Sequence, residues 1–83
     1  MKYTVGLKPR AKKDLHRIQK QDATRIANAL EQLEDNLSGD VKRLTNYTPE
    51  YRLRVGSYRV LFEVENEKGI VVYRIVHRRD AYR

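Results

Sequence analysis

Apolar and polar positions along the chain follow two rhythms, and the change falls near Gly39. Residues 2–7 (KYTVGL) alternate, with Tyr3, Val5 and Leu7 on one side, which predicts a short strand. Pro9 sits where a helix can open, because its missing N–H costs nothing in a first turn. Ala11, Leu15 and Ile18 follow at helical spacing, so this helix is expected to end near Lys20. Asp22 suits the N-cap of a second helix. Ala23, Ile26, Ala27, Leu30, Leu33 and Leu37 give it an apolar stripe, and Gly39 a stop. So short a turn between them predicts an antiparallel helix hairpin.

Beyond Gly39 the period falls to two. Residues 41–50 read as a connection, with room for an ordered stretch from Val41 to Leu44. Residues 51–55 (YRLRV), 58–64 (YRVLFEV) and 70–77 (IVVYRIVH) predict three strands. The expected fold is α+β, one domain over residues 1–83. It has an N-terminal strand, an antiparallel helix hairpin, then a three-stranded antiparallel meander with one face under the helices. The pattern leaves open where the first strand joins the sheet.

The meander's register follows from its loops. Gly56-Ser57 alone separates the first two strands, which suits a type II′ turn. Val55 then lies opposite Tyr58, Arg54 opposite Arg59, Leu53 opposite Val60 and Arg52 opposite Leu61. Alternation buries Leu53, Val55, Tyr58, Val60 and Phe62 and places Arg52, Arg54 and Arg59 on the other face. A four-residue loop at 66–69 pairs Val64 with Val71, Phe62 with Tyr73 and Val60 with Ile75. That register keeps Arg74 off the core, where a lone charge would be costly. The outer face therefore collects Arg52, Arg54, Arg59, Arg74 and, just past the strand, Arg78. Like charges directly opposite each other destabilise a sheet, so Arg54 facing Arg59 breaks a local rule, as functional sites do.

Charge reinforces this picture. Eighteen Lys and Arg against eleven Asp and Glu give a net +7. Residues 1–40 carry five Lys and three Arg against six acids, whereas residues 41–83 carry eight Arg and two Lys against five. The guanidinium fork matches phosphate, so an arginine-rich half points to phosphate contact. The absence of cysteine excludes disulfides, thiolate metal sites and cysteine nucleophiles. Two distant histidines and no acidic cluster at ligand spacing give no metal site, and no motif calls for a cofactor. No secretory signal is visible, and no window approaches the roughly 20 apolar residues of a membrane span. The expected location is cytoplasmic, with no membrane partner.

The stretch YRLRVGSYRVLF (51–62), the Arg43-Leu44 pair before it and the ending VHRRDAY (76–82) resemble the RelE/ParE superfamily of toxins from toxin–antitoxin systems. The order of elements is similar too, so the resemblance spans essentially the whole chain. It implies an enzyme of the RelE type, which cuts mRNA in the ribosomal A site without metal or cofactor. The ribose 2′-OH attacks the adjacent phosphate and leaves a 2′,3′-cyclic phosphate. It also implies a cognate antitoxin that holds the toxin inactive. The alternatives are a ParE-like inhibitor of DNA gyrase, or a basic RNA- or ribosome-binding module without catalysis.

Arg52 and Arg54 match family positions that usually hold Lys or Arg, Arg59 matches the arginine of the following strand, Arg78 best matches the tail arginine with Arg79 as second choice, and Tyr82 matches the tail tyrosine. Some members carry lysines at the first two positions; arginine exchanges protons poorly. Arg54, Arg59 and Arg78 are thus expected to stabilise the phosphorane. His77 and Tyr82 are candidates for proton transfer, although alternation turns His77 toward the core beside Tyr58. Glu63 is a weaker base candidate, expected instead to pair with Arg74 or Arg52. Arg43, Arg52, Arg74 and Arg79 are expected to bind RNA around this centre. An isolated +7 surface would bind RNA indiscriminately at low salt, so the expected partner is an acidic antitoxin that folds on binding.

Overall fold

A computed structural model describes residues 2–81. The elements run β1 (Thr4–Leu7), α1 (Pro9–Arg17), α2 (Lys20–Leu33), β2 (Asp40–Arg43), β3 (Tyr51–Val55), β4 (Tyr58–Glu65), β5 (Gly69–His77) and a 3-10 turn (Arg78–Asp80). The sheet has the order β1-β5-β4-β3-β2. β1 runs parallel to β5, with Thr4 beside Gly69 and Leu7 beside Val72, and every other pairing is antiparallel. α1 packs over β5 and α2 over β3, so both helices cover one sheet face. The fold is α+β, as the periodicity predicts.

The helices stop sooner than their apolar stripes. α1 ends at Arg17 because Ile18 turns extended, at φ −86° and ψ 142°. Gln19 is the residue at the cap of α2, and Asp22 falls inside its first turn. α2 ends at Leu33; Asn36 and Leu37 take positive φ of 56° and 57°, and the Leu37 side chain still packs on the core. Gly39 marks the entry to β2 instead of the helix stop. Its φ is +127°, and a Cβ there would meet Leu53 Cδ1 at 2.9 Å.

The meander has four strands where the sequence predicts three. β2 pairs with β3, and its single half-buried Val41 lies among exposed Asp40, Lys42 and Arg43. A short, charged strand with one apolar side chain is what an exposed sheet edge favours, and it carries too little alternation to be read as a strand.

The first hairpin has the predicted register, from Val55 beside Tyr58 to Arg52 beside Leu61. Gly56 alone of the two turn residues has positive φ, at +57°, which matches a type II′ turn. The second hairpin corrects the expected register. Glu65 pairs with Gly69, Val64 with Ile70 and Phe62 with Val72, not with Tyr73; Val60 does pair with Ile75. The register shifts between Leu61 and Phe62, leaving Tyr73 as an extra residue on β5. The shorter loop, carried on without that bulge, would set Arg74 beside Val60 and turn it into the core. The bulge restores Arg74 to the outer side beside Leu61.

Phe62, Ile26, Leu33, Leu53, Ile70, Val60 and Val72 are the largest fully buried side chains. Tyr51 stacks on Phe62, with ring centroids 5.5 Å apart and planes 17° off parallel. Each such residue contributes about 1.5–3 kcal/mol by leaving water. Leu61 is also buried, although it shares the outer side with the arginines and stands apart from the main core. Ala81 is buried as well, outside the main core, and Tyr47 Oη donates to its carbonyl at 3.4 Å. The loop before β3 and the turn after β5 thus meet, which no periodicity in the sequence signals.

Candidate nucleic-acid interface

The Gly56-Ser57 turn is the point about which cations gather. Arg54 and Arg59 face each other across β3 and β4. Arg54 is exposed. Arg59 is only half exposed, because its Nη1 folds back to donate to the carbonyls of Gly56 at 3.0 Å and Tyr58 at 2.9 Å. The carbonyl dipoles draw the guanidinium toward the turn, which eases its repulsion with Arg54. Beside them, the Arg78 backbone N–H donates to Ser57 O at 2.7 Å, so the 3-10 turn brings the exposed Arg78 to the same hairpin. From the other side Arg25 of α2 lies against the turn: a Cβ at Gly56 would sit 3.2 Å from both its terminal nitrogens. None of these four arginines pairs with an acid among the described residues.

Other candidate cations are engaged elsewhere. Arg74 starts on the outer side beside Leu61, but its guanidinium turns away to α1: its Nε donates to Asp14 Oδ2 at 2.8 Å and its Nη2 to Oδ1 at 3.3 Å. Asp14 also accepts from the Ile75 N–H at 3.0 Å, capping the β5 edge just beyond the end of β1. This ion pair and burial shape Arg74, whose pKa is raised first by the Asp14 hydrogen bond. Arg52 is held by Asp40, through the backbone carbonyl at 3.0 Å and Oδ1 at 3.3 Å, and its side chain is only 15% exposed. Arg43 pairs with Glu50 at 3.3 Å, at the opposite end of β3 from the turn. Glu63 pairs with neither Arg74 nor Arg52; both have found other carboxylates.

His77 stands where alternation places it. It is the register partner of Tyr58, edge-on to its ring at 5.6 Å, and so shares Tyr58's face and not that of Arg59. Its Nδ1 accepts from the Arg79 N–H at 3.3 Å, capping the 3-10 turn. Arg79 is exposed on that turn. Tyr82 lies outside the described residues. Arg25 is the residue that reading along the sequence misses: it belongs to a helix, and only the packing of α2 beside the hairpin brings it near Gly56.

Tyr73, displaced by the bulge, donates its hydroxyl to Glu65 at 3.3 Å. Its phenol pKa is raised, first by burial and then by the charges of Glu65 and Glu63. The neutral phenol is favoured in the folded state, so its contribution is complete below the ordinary tyrosine pKa. That contribution fades as the pH climbs through the raised value. Tyrosinate absorbance, read as the difference between wild type and Tyr73→Phe, should show this ring ionising above ordinary tyrosine. Glu65→Gln should bring its midpoint down; an unmoved midpoint would remove the carboxylate as a cause.

A mixed sheet under two helices, with four arginines round one hairpin turn that pair with no acid among the described residues, defines a small basic α+β protein. Residues 5–82 match the family model described as "ParE toxin of type II toxin-antitoxin system", and the chain belongs to that family. It is a toxin of the RelE/ParE superfamily. It is 33% identical over 75 residues to "Toxin RelE3" of Methanocaldococcus jannaschii, covering 84% of each chain. Among solved structures, it resembles the toxin in the RelBE2 toxin–antitoxin complex of Mycobacterium tuberculosis. That match has TM-score 0.79 and 25% identity over 93% of this chain and 99% of the other. It also resembles the RelB–RelE antitoxin–toxin complex of Methanococcus jannaschii, with TM-score 0.73 and 31% identity over 88% and 89% of the two chains.

Proposed function

We propose that this toxin is a RelE-type endoribonuclease that cuts mRNA on the ribosome. The observation that carries the reading is the group of acid-free arginines round Gly56-Ser57, with Arg59 fixed by two carbonyls. In the cut, the 2′-oxygen forms a bond to phosphorus as its proton leaves. The bond to the 5′-oxygen breaks, and that oxygen takes up a proton. Charge builds on the non-bridging oxygens in between, and Arg54, Arg59 and Arg78 supply donors aimed at them. Held donors of this kind need little reorganisation in the transition state. Proton transfer falls to Tyr82, while His77 acts by capping the turn that carries Arg78. The arginine group is small, and in this reading the ribosome supplies the alignment of the 2′-OH with the phosphate.

The partner we propose is an acidic antitoxin, in keeping with the complexes in which the structural relatives were solved. It covers apolar surface as well as the +7 charge.

Primer extension on programmed ribosomes tests the reading. The toxin should produce cuts within the A-site codon and leave free RNA nearly intact. The family also includes the ParE name, so gyrase supercoiling is measured alongside. Intact mRNA with blocked supercoiling would replace the nuclease reading by gyrase inhibition. Intact mRNA with tight ribosome binding would leave a non-catalytic binding module.

A further inference from the structure

We propose that the groove between α2 and the Leu53–Gly56 segment is a second phosphate subsite, in which Arg25 holds the RNA phosphodiester next to the one being cut. The inference rests on reading the arginine hairpin as the RNA site. The groove has a volume of about 380 Å³. Arg25, Asn28 and Gln32 line its helical wall at positions i, i+3 and i+7, which share a helix face. Arg54 borders the opposite wall, while its side chain faces Arg59 on the other side of the sheet; Gly56 links the two places, since Arg59 Nη1 donates to its carbonyl and Arg25 lies against it.

Three features make this groove suited to a phosphate. First, the exposed Arg25 reaches the turn, with both terminal nitrogens 3.2 Å from where a Cβ on Gly56 would stand, so its fork already lies beside the arginine hairpin. Second, Arg25 does not spend its charge on an acid among the described residues. The one carboxylate in the groove, Asp40, is taken by Arg52 at 3.3 Å. Third, Asn28 and Gln32 offer amide donors and acceptors that suit a ribose hydroxyl or a base edge.

The same helix face limits how far the RNA runs. Asn28 and Gln32 also border the next recess along α2, where Glu31 and Asp35 lie and Lys2 is paired to Asp35 at 3.1 Å. A phosphate backbone would be repelled there. The subsite therefore takes one phosphate, not a long track.

The test measures binding of a short single-stranded RNA, protected from cutting by 2′-O-methyl groups, to the full chain over about 50–200 mM salt. Arg25→Gln should flatten the slope of log affinity against log salt by about 0.7, the loss of one phosphate contact on a single strand. Asn28→Ala should weaken binding several-fold with the slope unchanged, since an amide carries no charge. Thermal unfolding confirms that each variant is folded. A wild-type slope in Arg25→Gln overturns the subsite; if that variant instead loses antitoxin affinity, the groove is a protein interface. Cleavage on ribosomes is scored separately. A wild type with the Arg25-dependent slope that leaves mRNA whole keeps the phosphate contact and removes the nuclease. A wild type that cuts, with an unchanged slope in Arg25→Gln, does the reverse.

Discussion

Arg59→Ala should slow single-turnover mRNA cleavage on programmed ribosomes by roughly a hundredfold or more, the effect of losing one donor to a developing oxyanion. Its donors are aimed by the hairpin itself: Nη1 spans the Gly56 and Tyr58 carbonyls, which leaves the rest of the fork to face a ligand. The cost to folding should be small. Two hydrogen bonds at a half-exposed site are lost, for about 1 kcal/mol, and removing the Arg54 repulsion offsets part of it. Arg59→Lys should recover only a fraction of the rate, because an ammonium cannot grip two phosphate oxygens as a fork does. Thermal unfolding and single-turnover rates, measured on the same preparations, check both halves. A folded Arg59→Ala protein that cuts at the wild-type rate would take Arg59 out of the chemistry.

Asp14→Ala should destabilise the fold well beyond an ordinary surface substitution. The carboxylate is 11% exposed and accepts from Arg74 twice and from the Ile75 N–H once. Its loss leaves a backbone donor at the β5 edge without a partner and strands the Arg74 charge against α1. Breaking a fully buried pair costs more, but Arg74 is 38% exposed and regains water, so about 2–3 kcal/mol is expected. For a chain this short that lowers Tm by roughly 10–20 °C. Arg74→Ala should cost less, since Asp14 keeps the Ile75 bond. It should also leave RNA binding close to wild type, because Arg74 is turned toward α1. A large loss of RNA affinity in a folded Arg74→Ala protein would return Arg74 to the arginine face.

What could be read along the chain was set by short-range geometry. Gly56-Ser57 admits one tight turn, so Arg54 beside Arg59 follows from counting residues, whereas His77 beside Tyr58 is reached only because the bulge makes up for a loop one residue shorter than expected. What could not be read depends on partners distant in sequence. Asp14 and Arg74 are sixty positions apart, and either alone looks like an ordinary surface charge. The bulge at Tyr73 arises because a short loop and a buried Phe62 must coexist, a conflict visible only when both ends of the hairpin are fixed. β1 alternates well enough for either sheet edge, and only the path through α1 and α2 selects β5. Arg25 carries no mark in the sequence that separates it from Arg10 or Arg17 on α1.

The pairing of β1 with β5 also sets the order of events during synthesis. The strand made first can dock only on the strand made last, since Thr4 lies beside Gly69. Contacts so far apart in sequence form late and slowly. While the ribosome is still producing β5, the sheet lacks the neighbour that β1 needs, and the nascent chain remains open along that side. Arg78 and its turn emerge later still. A cell making this protein therefore has an interval in which β1 and the helices are out before β5 can complete the sheet, and an inhibitor already present can meet the chain before the fold closes.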